Sequence, residues 1–186
     1  VSRATRRGAG GFSLVEVLVA MFVVALGILA LAALLQAATR YGKMSELRST
    51  ATLLANDIAD RMRANRAGAA LGAQGYDLAT HDYPSEVVAP LGACTSATPC
   101  APAALARSDM ADWTARLRAT LPSGSAFIRY LPGAGPATSA VDVWVGWTDP
   151  NSLASGAAGE RGSAECPAAW VLADARVRCV ALQVAL

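Results

Sequence analysis

One carboxylate, Glu16, stands at the mouth of an uncharged apolar run from Val17 to Leu35, VLVAMFVVALGILALAALL, 19 residues long. At about 1.5 Å of rise per residue, a helix of that length is close to one hydrocarbon thickness. An acid there is costly in lipid, on the order of 2 to 3 kcal/mol on insertion scales, and needs a partner. The preceding stretch offers one. Arg3, Arg6 and Arg7 come before Gly8, Gly10 and Gly11, with no acidic residue among them. A short basic flank holds the cytoplasmic side and sends the following chain across the membrane. A cut between Gly11 and Phe12 would expose an ammonium four residues ahead of Glu16. In a bundle of parallel helices, that ammonium can neutralise the Glu16 carboxylate of a neighbour or, within one chain, its own. A helix amino terminus also favours nearby negative charge.

Simpler segments fit less well. A secretory signal peptide has a basic start and an apolar core, but that core is about 7 to 15 residues and carries no acid at its mouth. A plain single-span anchor needs neither Glu16 nor paired glycines before an aromatic. GFSLVEVLVA, from Gly11 to Ala20, resembles the processing site of type IV pilins and the related pseudopilins. The resemblance implies that a prepilin peptidase cuts after Gly11 and methylates the new amino terminus at Phe12. It also implies that Glu16 recruits the subunit into a filament.

Length bounds the rest. Removing residues 1–11 from the 186 leaves room for one long helix and one globular domain, not for two substantial cores. The formal charge of +2 belongs to the leader: without its three arginines, 13 basic residues face 14 acidic ones. Nothing remains of a basic balance that would suggest nucleic acid as a partner.

Four cysteines, Cys94, Cys100, Cys166 and Cys179, all follow the apolar run. With the leader inside, they reach an oxidising compartment, where an even number of thiols favours disulfides. Sequence order favours Cys94–Cys100 and Cys166–Cys179, one of three possible connectivities. A zinc site is the rival, but neither gap has the spacing of a zinc knuckle, about two to four residues between ligands.

The elements that position these groups follow from periodicity. Tyr41, Met44, Leu47, Ala51, Leu54, Ile58 and Met62 recur at three- and four-residue steps, a helical stripe. One helix from Phe12 to Asn65 is therefore expected. Residues 12–39 are its membrane-spanning half and 40–65 its amphipathic half, ahead of a globular periplasmic domain at 66–186. Gly68, Gly72 and Gly75 mark the exit, and residues up to Ala104 read as an irregular connection with a short strand at Glu86 to Leu91. Asp109 to Leu121 reads as a helix capped by Asp109, with Trp113 as a core anchor and Pro122 and Gly124 ending it. Ala126 to Leu131, Val141 to Thr148, Ala168 to Leu172 and Val177 to Val184 read as strands. In the second of these, Val141, Val143, Val145 and Trp147 share one face. Pro132 to Ser139 is a connecting turn, and Asn151 to Ala164 a surface loop. Without crossover helices the sheet should be antiparallel. The expectation is an α+β fold: a long N-terminal helix packed on a roughly four-stranded antiparallel sheet, which is also the architecture that the resemblance implies.

Asn56 to Asn65, NDIADRMRAN, narrows the resemblance to the PilV group of minor pilins, pilus modification proteins. LPSG at Leu121, the VWVGW strand from Val143 and RCVALQV from Arg178 follow in matching order. This implies a low-abundance subunit that helps to start the pilus or sits near its tip. Its partners would be prepilin peptidase, other minor and major pilins and the inner membrane, with the C-terminal domain periplasmic and later extracellular.

Asp57, Asp60, Arg61, Arg63 and Arg66 read as a solvated face with local ion pairs, worth a few tenths of a kcal/mol each. In the alternative, Arg61 and Arg63 dock the loop or a neighbouring subunit. Catalysis has little support. His81 is the only histidine, there is no G-x-S-x-G nucleophile motif, and neither a phosphate loop nor a His-rich metal pattern is present. No enzyme and no cofactor is expected. Two other functions remain open, a type II secretion pseudopilin and a membrane-anchored periplasmic protein with a cysteine-based redox or metal role.

Overall fold

A computed structural model describes residues 11, 13–78, 87–89, 94, 97–133, 139–150 and 165–186. Helix α1 runs Leu14–Ala64. It contains no proline, and its only glycines are Gly27 and Gly42, so little interrupts the hydrogen-bond ladder. The chain divides into two compact units, Val1–Gly42 and Lys43–Leu186.

In the first unit α1 is apolar on every side, and none of its apolar window is buried within the protein. By length and composition this stretch can cross a membrane. In the second unit the 3.6-residue period takes over. Leu47, Ala51, Ala55, Ile58, Ala59 and Met62 are buried, while Met44 and Leu54 are partly covered. Tyr41, which the periodicity placed on this stripe, is 77% exposed, so the buried stripe starts one turn later.

The stripe of Lys43–Ala64 packs in one core with Trp113, Leu117 and Leu121 and with one face of an antiparallel sheet. That sheet has three strands in the order β1-β2-β3: β1 Ser125–Leu131, β2 Ala140–Thr148 and β3 Val177–Ala185. Val141, Val143, Val145 and Trp147 all face this core, as the alternation of β2 required. The opposite face is covered too. Phe127, Trp170, Val177 and Cys179 form a smaller buried cluster with Trp144 and Cys166 against it.

Two expectations fail here. Among the described residues the sheet has three strands rather than about four, and Ala168–Ala173 is a helix, α4, instead of a strand. Short apolar runs do not separate the two states by periodicity. Here Pro167 starts the turn, its carbonyl accepting from the N–H groups of Trp170 at 3.0 Å and Val171 at 3.3 Å. Helical backbone lets Trp170 cover Gly146, where a Cβ would lie only 2.6 Å from the indole; only glycine fits.

The expected strand at Glu86 to Leu91 lies largely outside the described residues, and 87–89 carry no strand. Among the described residues the outer edge of β1 is met instead by Asp77 and Leu78. Leu78 and Ile128 exchange N–H···O bonds of 3.0 and 3.1 Å. Next to them the Asp77 carboxylate accepts from Tyr130 N–H at 2.8 Å.

Beyond α1, the connection begins with α2 Arg66–Ala69 and a 3-10 turn, Gly72–Gln74. Gly75 packs so closely that a Cβ would fall 1.9 Å from the Gly68 carbonyl oxygen. Helix α3 spans Pro102–Thr120 and starts well before Asp109, because Pro102 occupies the first turn, where its missing N–H is harmless.

Candidate functional site

The helix start is built by Ser13. Its side-chain oxygen accepts from Glu16 N–H at 3.2 Å. Its carbonyl accepts from Glu16 N–H at 3.1 Å and from Val17 N–H at 3.3 Å. Serine followed three residues later by glutamate is the capping-box spacing. The sequence reading passed over this signal because it treated Glu16 only as a charge. The return arm of the box is not made: among the described residues the Glu16 carboxylate has no hydrogen-bond or ion-pair partner. The acid sits at the positive end of α1, where negative charge is favoured.

Glu16 shares a shallow strip of the helix surface with Val17, Ala20, Met21, Val24, Ala25 and Ile28. Two alanines on this strip would let another helix approach closely. Gly11 is exposed and non-helical, with open space around the position of a Cβ. Phe12 and the arginine-bearing residues before Gly11 lie outside the described residues, as does His81.

A second cluster closes the other end of α1. The Arg61 guanidinium donates to Asp109 at 3.1 Å and Asp112 at 3.0 Å, with Asp57 at 3.4 Å. Arg116 reaches Asp112 at 2.8 Å and Asp57 at 3.4 Å. Burial acts to lower the Arg61 pKa, but the three carboxylates overcome it and hold the group above its ordinary value. Tyr76 donates to Asp109 and receives a bond from Asn65 Nδ2 at 3.3 Å. Burial, and then the bond to Asp109, push its phenol above the usual range. Asn65 also caps α2, its Oδ1 accepting from Gly68 N–H at 3.1 Å.

Arg61 therefore clasps α3, which the local ion-pair reading missed because its partners lie about fifty residues away in sequence. Arg63 pairs with Asp60 at 2.6 Å and donates to the Ala185 carbonyl at 3.2 Å, tying the helix to the last strand. Both arginines have partners within the chain.

The cysteines form two disulfides, Cys94–Cys100 and Cys166–Cys179, with Cα–Cα distances of 5.4 and 5.2 Å. The first closes a small loop before α3. The second fastens the segment entering α4 to β3, beside Trp170. Among the described residues no group of three or more His, Cys, Asp or Glu is placed to hold a metal ion.

Residues 6–32 match the family described as the prokaryotic N-terminal methylation motif. The match takes in Arg6, Arg7, Gly11, Phe12, Ser13, Glu16 and most of the apolar run. This motif is typical of type IV pilin-like proteins, and the α+β fold described above is consistent with theirs. No curated protein and no solved structure matches the chain.

Proposed function

We propose that the chain is a minor pilin of the PilV kind, a structural subunit rather than an enzyme. On this reading prepilin peptidase removes residues 1–11 and methylates Phe12. Residues 12–39 hold the subunit in the inner membrane, and residues 40–65 carry the periplasmic domain, 66–186. The subunit then joins other minor and major pilins at the start or tip of a pilus. The observation that supports this best is the methylation motif running directly into a helix whose apolar surface finds no cover in its own fold. Such a surface needs lipid first and other helices later, and the Glu16 carboxylate needs a cation when those helices replace headgroups and water.

Pseudopilins of type II secretion share the motif and the helix; NDIADRMRAN at Asn56 to Asn65 is what favours the pilus. The pairing of all four thiols as disulfides disfavours a zinc or free-thiol role.

The test is Glu16→Ala in cells that express the pilus. Breaking a buried charge pair from one side costs about 3–5 kcal/mol. Recovery in sheared filaments should therefore fall by about two to four orders of magnitude, while leader removal and membrane insertion stay intact. Wild-type recovery of the variant would refute the filament role.

A further inference from the structure

β3 is an edge strand among the described residues, and the bonds at its two ends fix which way its backbone groups point. Leu186 N–H donates to the Ser139 carbonyl and Asp149 N–H to the Arg176 carbonyl, each at 3.0 Å. In an antiparallel ladder, residues bonded to one neighbour alternate with residues that face away from it. Pairing with β2 runs without a bulge from Val177 to Ala185, so the even-numbered residues of β3 turn their N–H and C=O groups to β2. The odd-numbered ones turn theirs outward. Two arginines close the ends of this outer edge. Arg178 donates to the Val177 carbonyl at 3.1 Å, and Arg63 to the Ala185 carbonyl at 3.2 Å. Between them the backbone N–H and C=O of Ala181 and Gln183, and the N–H of Ala185, meet no hydrogen-bond partner among the described residues. All three residues are exposed.

Natural sheets blunt such an edge with proline, lysine or a bulge. Ala181 to Ala185, ALQVA, has none of these. We infer that this edge accepts an extended segment of a different protein as a fourth strand, continuing the sheet beyond β3. The backbone specifies a strand, because only a row of alternating N–H and C=O groups matches it. The side chains narrow the chemistry. Ala181 lies opposite the half-buried Trp144, which leaves room over Ala181 for a large apolar side chain that reaches the indole. Arg178 and Arg63 at the two ends complement a segment that is uncharged in its middle and carries a carboxylate near each end. A second copy of the chain does not fit. The outer edge of β1 is already met by Leu78 and Asp77. Two β3 edges pair antiparallel about a twofold axis perpendicular to the sheet, and that axis reverses every element lying along the sheet. The Lys43–Ala64 stretches packed on the two sheets would then run in opposite directions, whereas copies held in one membrane must leave it in the same direction. This exclusion rests on the membrane reading above; the open edge does not.

Proline at position 181 removes one outward N–H and leaves the ladder to β2 whole, a placement that edge strands tolerate. Full-length chains carry photoreactive benzoylphenylalanine in place of Ala185 or, as a control, of the exposed Ala119 on α3. They are irradiated in cells that make the native assembly, and adducts are mapped by mass spectrometry. The expected adduct forms from position 185, not from 119, and joins an extended segment of another protein. Ala181→Pro should lower its yield about fivefold, the worth of one hydrogen bond, with the unfolding transition of the chain unchanged. Ala181→Lys leaves the backbone intact and fills the space over Trp144 with a charge. It should lower the yield as well, and it keeps the test decisive if proline disturbs folding. Adducts only between copies of this chain, equal yields from 185 and 119, or yields unchanged by both substitutions would overturn the inference. The same adduct on a chain that still carries its leader would defeat the processing reading and leave the added strand standing.

Discussion

Helix α1 meets its surroundings in two ways. Between Leu14 and Gly42 the large apolar side chains face outward, with Leu14 at 81% and Leu35 at 66% exposure. From Leu47 to Met62 the buried positions fall on one stripe, and Ala51, Ala55, Ile58, Ala59 and Met62 are all at 0%. Both stretches are helical, and both contain leucine, valine or isoleucine, and alanine. The difference lies in period. Where apolar residues occupy every side, no single protein surface can cover them, and the environment must be lipid or several neighbouring helices. Where they recur every three or four residues, one surface is enough. That surface is the core shared by Trp113, Ile128, Val143 and Val180.

The comparison breaks most clearly if truncation has the same effect in both stretches. Ile58→Ala empties a fully buried site and should cost the globular unit about 2–5 kcal/mol. Leu26→Ala touches a side chain that is 52% exposed, and should shift the same unfolding transition by less than about 0.5 kcal/mol. Denaturant titration of the full chain in detergent micelles, followed by tryptophan emission, reads both. A Leu26→Ala loss as large as that of Ile58→Ala would mean that the first stretch is also held by its own fold.

Patterns that repeat locally were legible in the sequence. The helix span, the inward face of β2 and the place of β3 follow from periods of 3.6 and 2, which need no knowledge of the partner. What escaped depended on contacts distant in sequence. Arg61 finds Asp109 and Asp112 on α3, and nothing within one turn of α1 reveals that. Ala168–Ala173 became a helix because Trp170 must reach Gly146, whereas its own five or six residues fit strand or helix equally well. The candidate site was legible for a different reason: its charge, glycines and apolar run lie within a few residues of each other. Only the role of Ser13 went unread, although its spacing to Glu16 was in plain view.

A smaller effect sharpens the comparison inside the globular unit. The Cys166–Cys179 disulfide closes a 13-residue separation next to the buried Trp170. Loop-closure entropy makes such a crosslink worth about 3 kcal/mol, in a model-dependent way. Replacing both cysteines with serine should lower unfolding stability by about that amount and release α4 first. Faster hydrogen exchange at Trp170 and Val177, with α1 protection between Ala51 and Met62 unchanged, is the expected pattern. Uniform loss across the unit would show instead that the second cluster and the main core unfold as one.

The smallest effect concerns the clasp where α1 ends, and it fades as pH rises. Tyr76 is fully buried and donates to Asp109, and its phenol is held above the ordinary range. Folding therefore favours the neutral phenol. Its contribution is intact below pH about 10 and is lost as pH rises past that value, because the unfolded chain releases the proton first. Tyr76→Phe removes the donor and leaves Asp109 to Arg61, which should cost about 1 kcal/mol at neutral pH. The variant cannot ionise at this position, so its stability should fall less steeply on the alkaline side and the two curves should converge above pH about 10. Parallel curves from pH 7 to 11 would place the alkaline sensitivity elsewhere and reduce Tyr76 to a packing role beside Asn65.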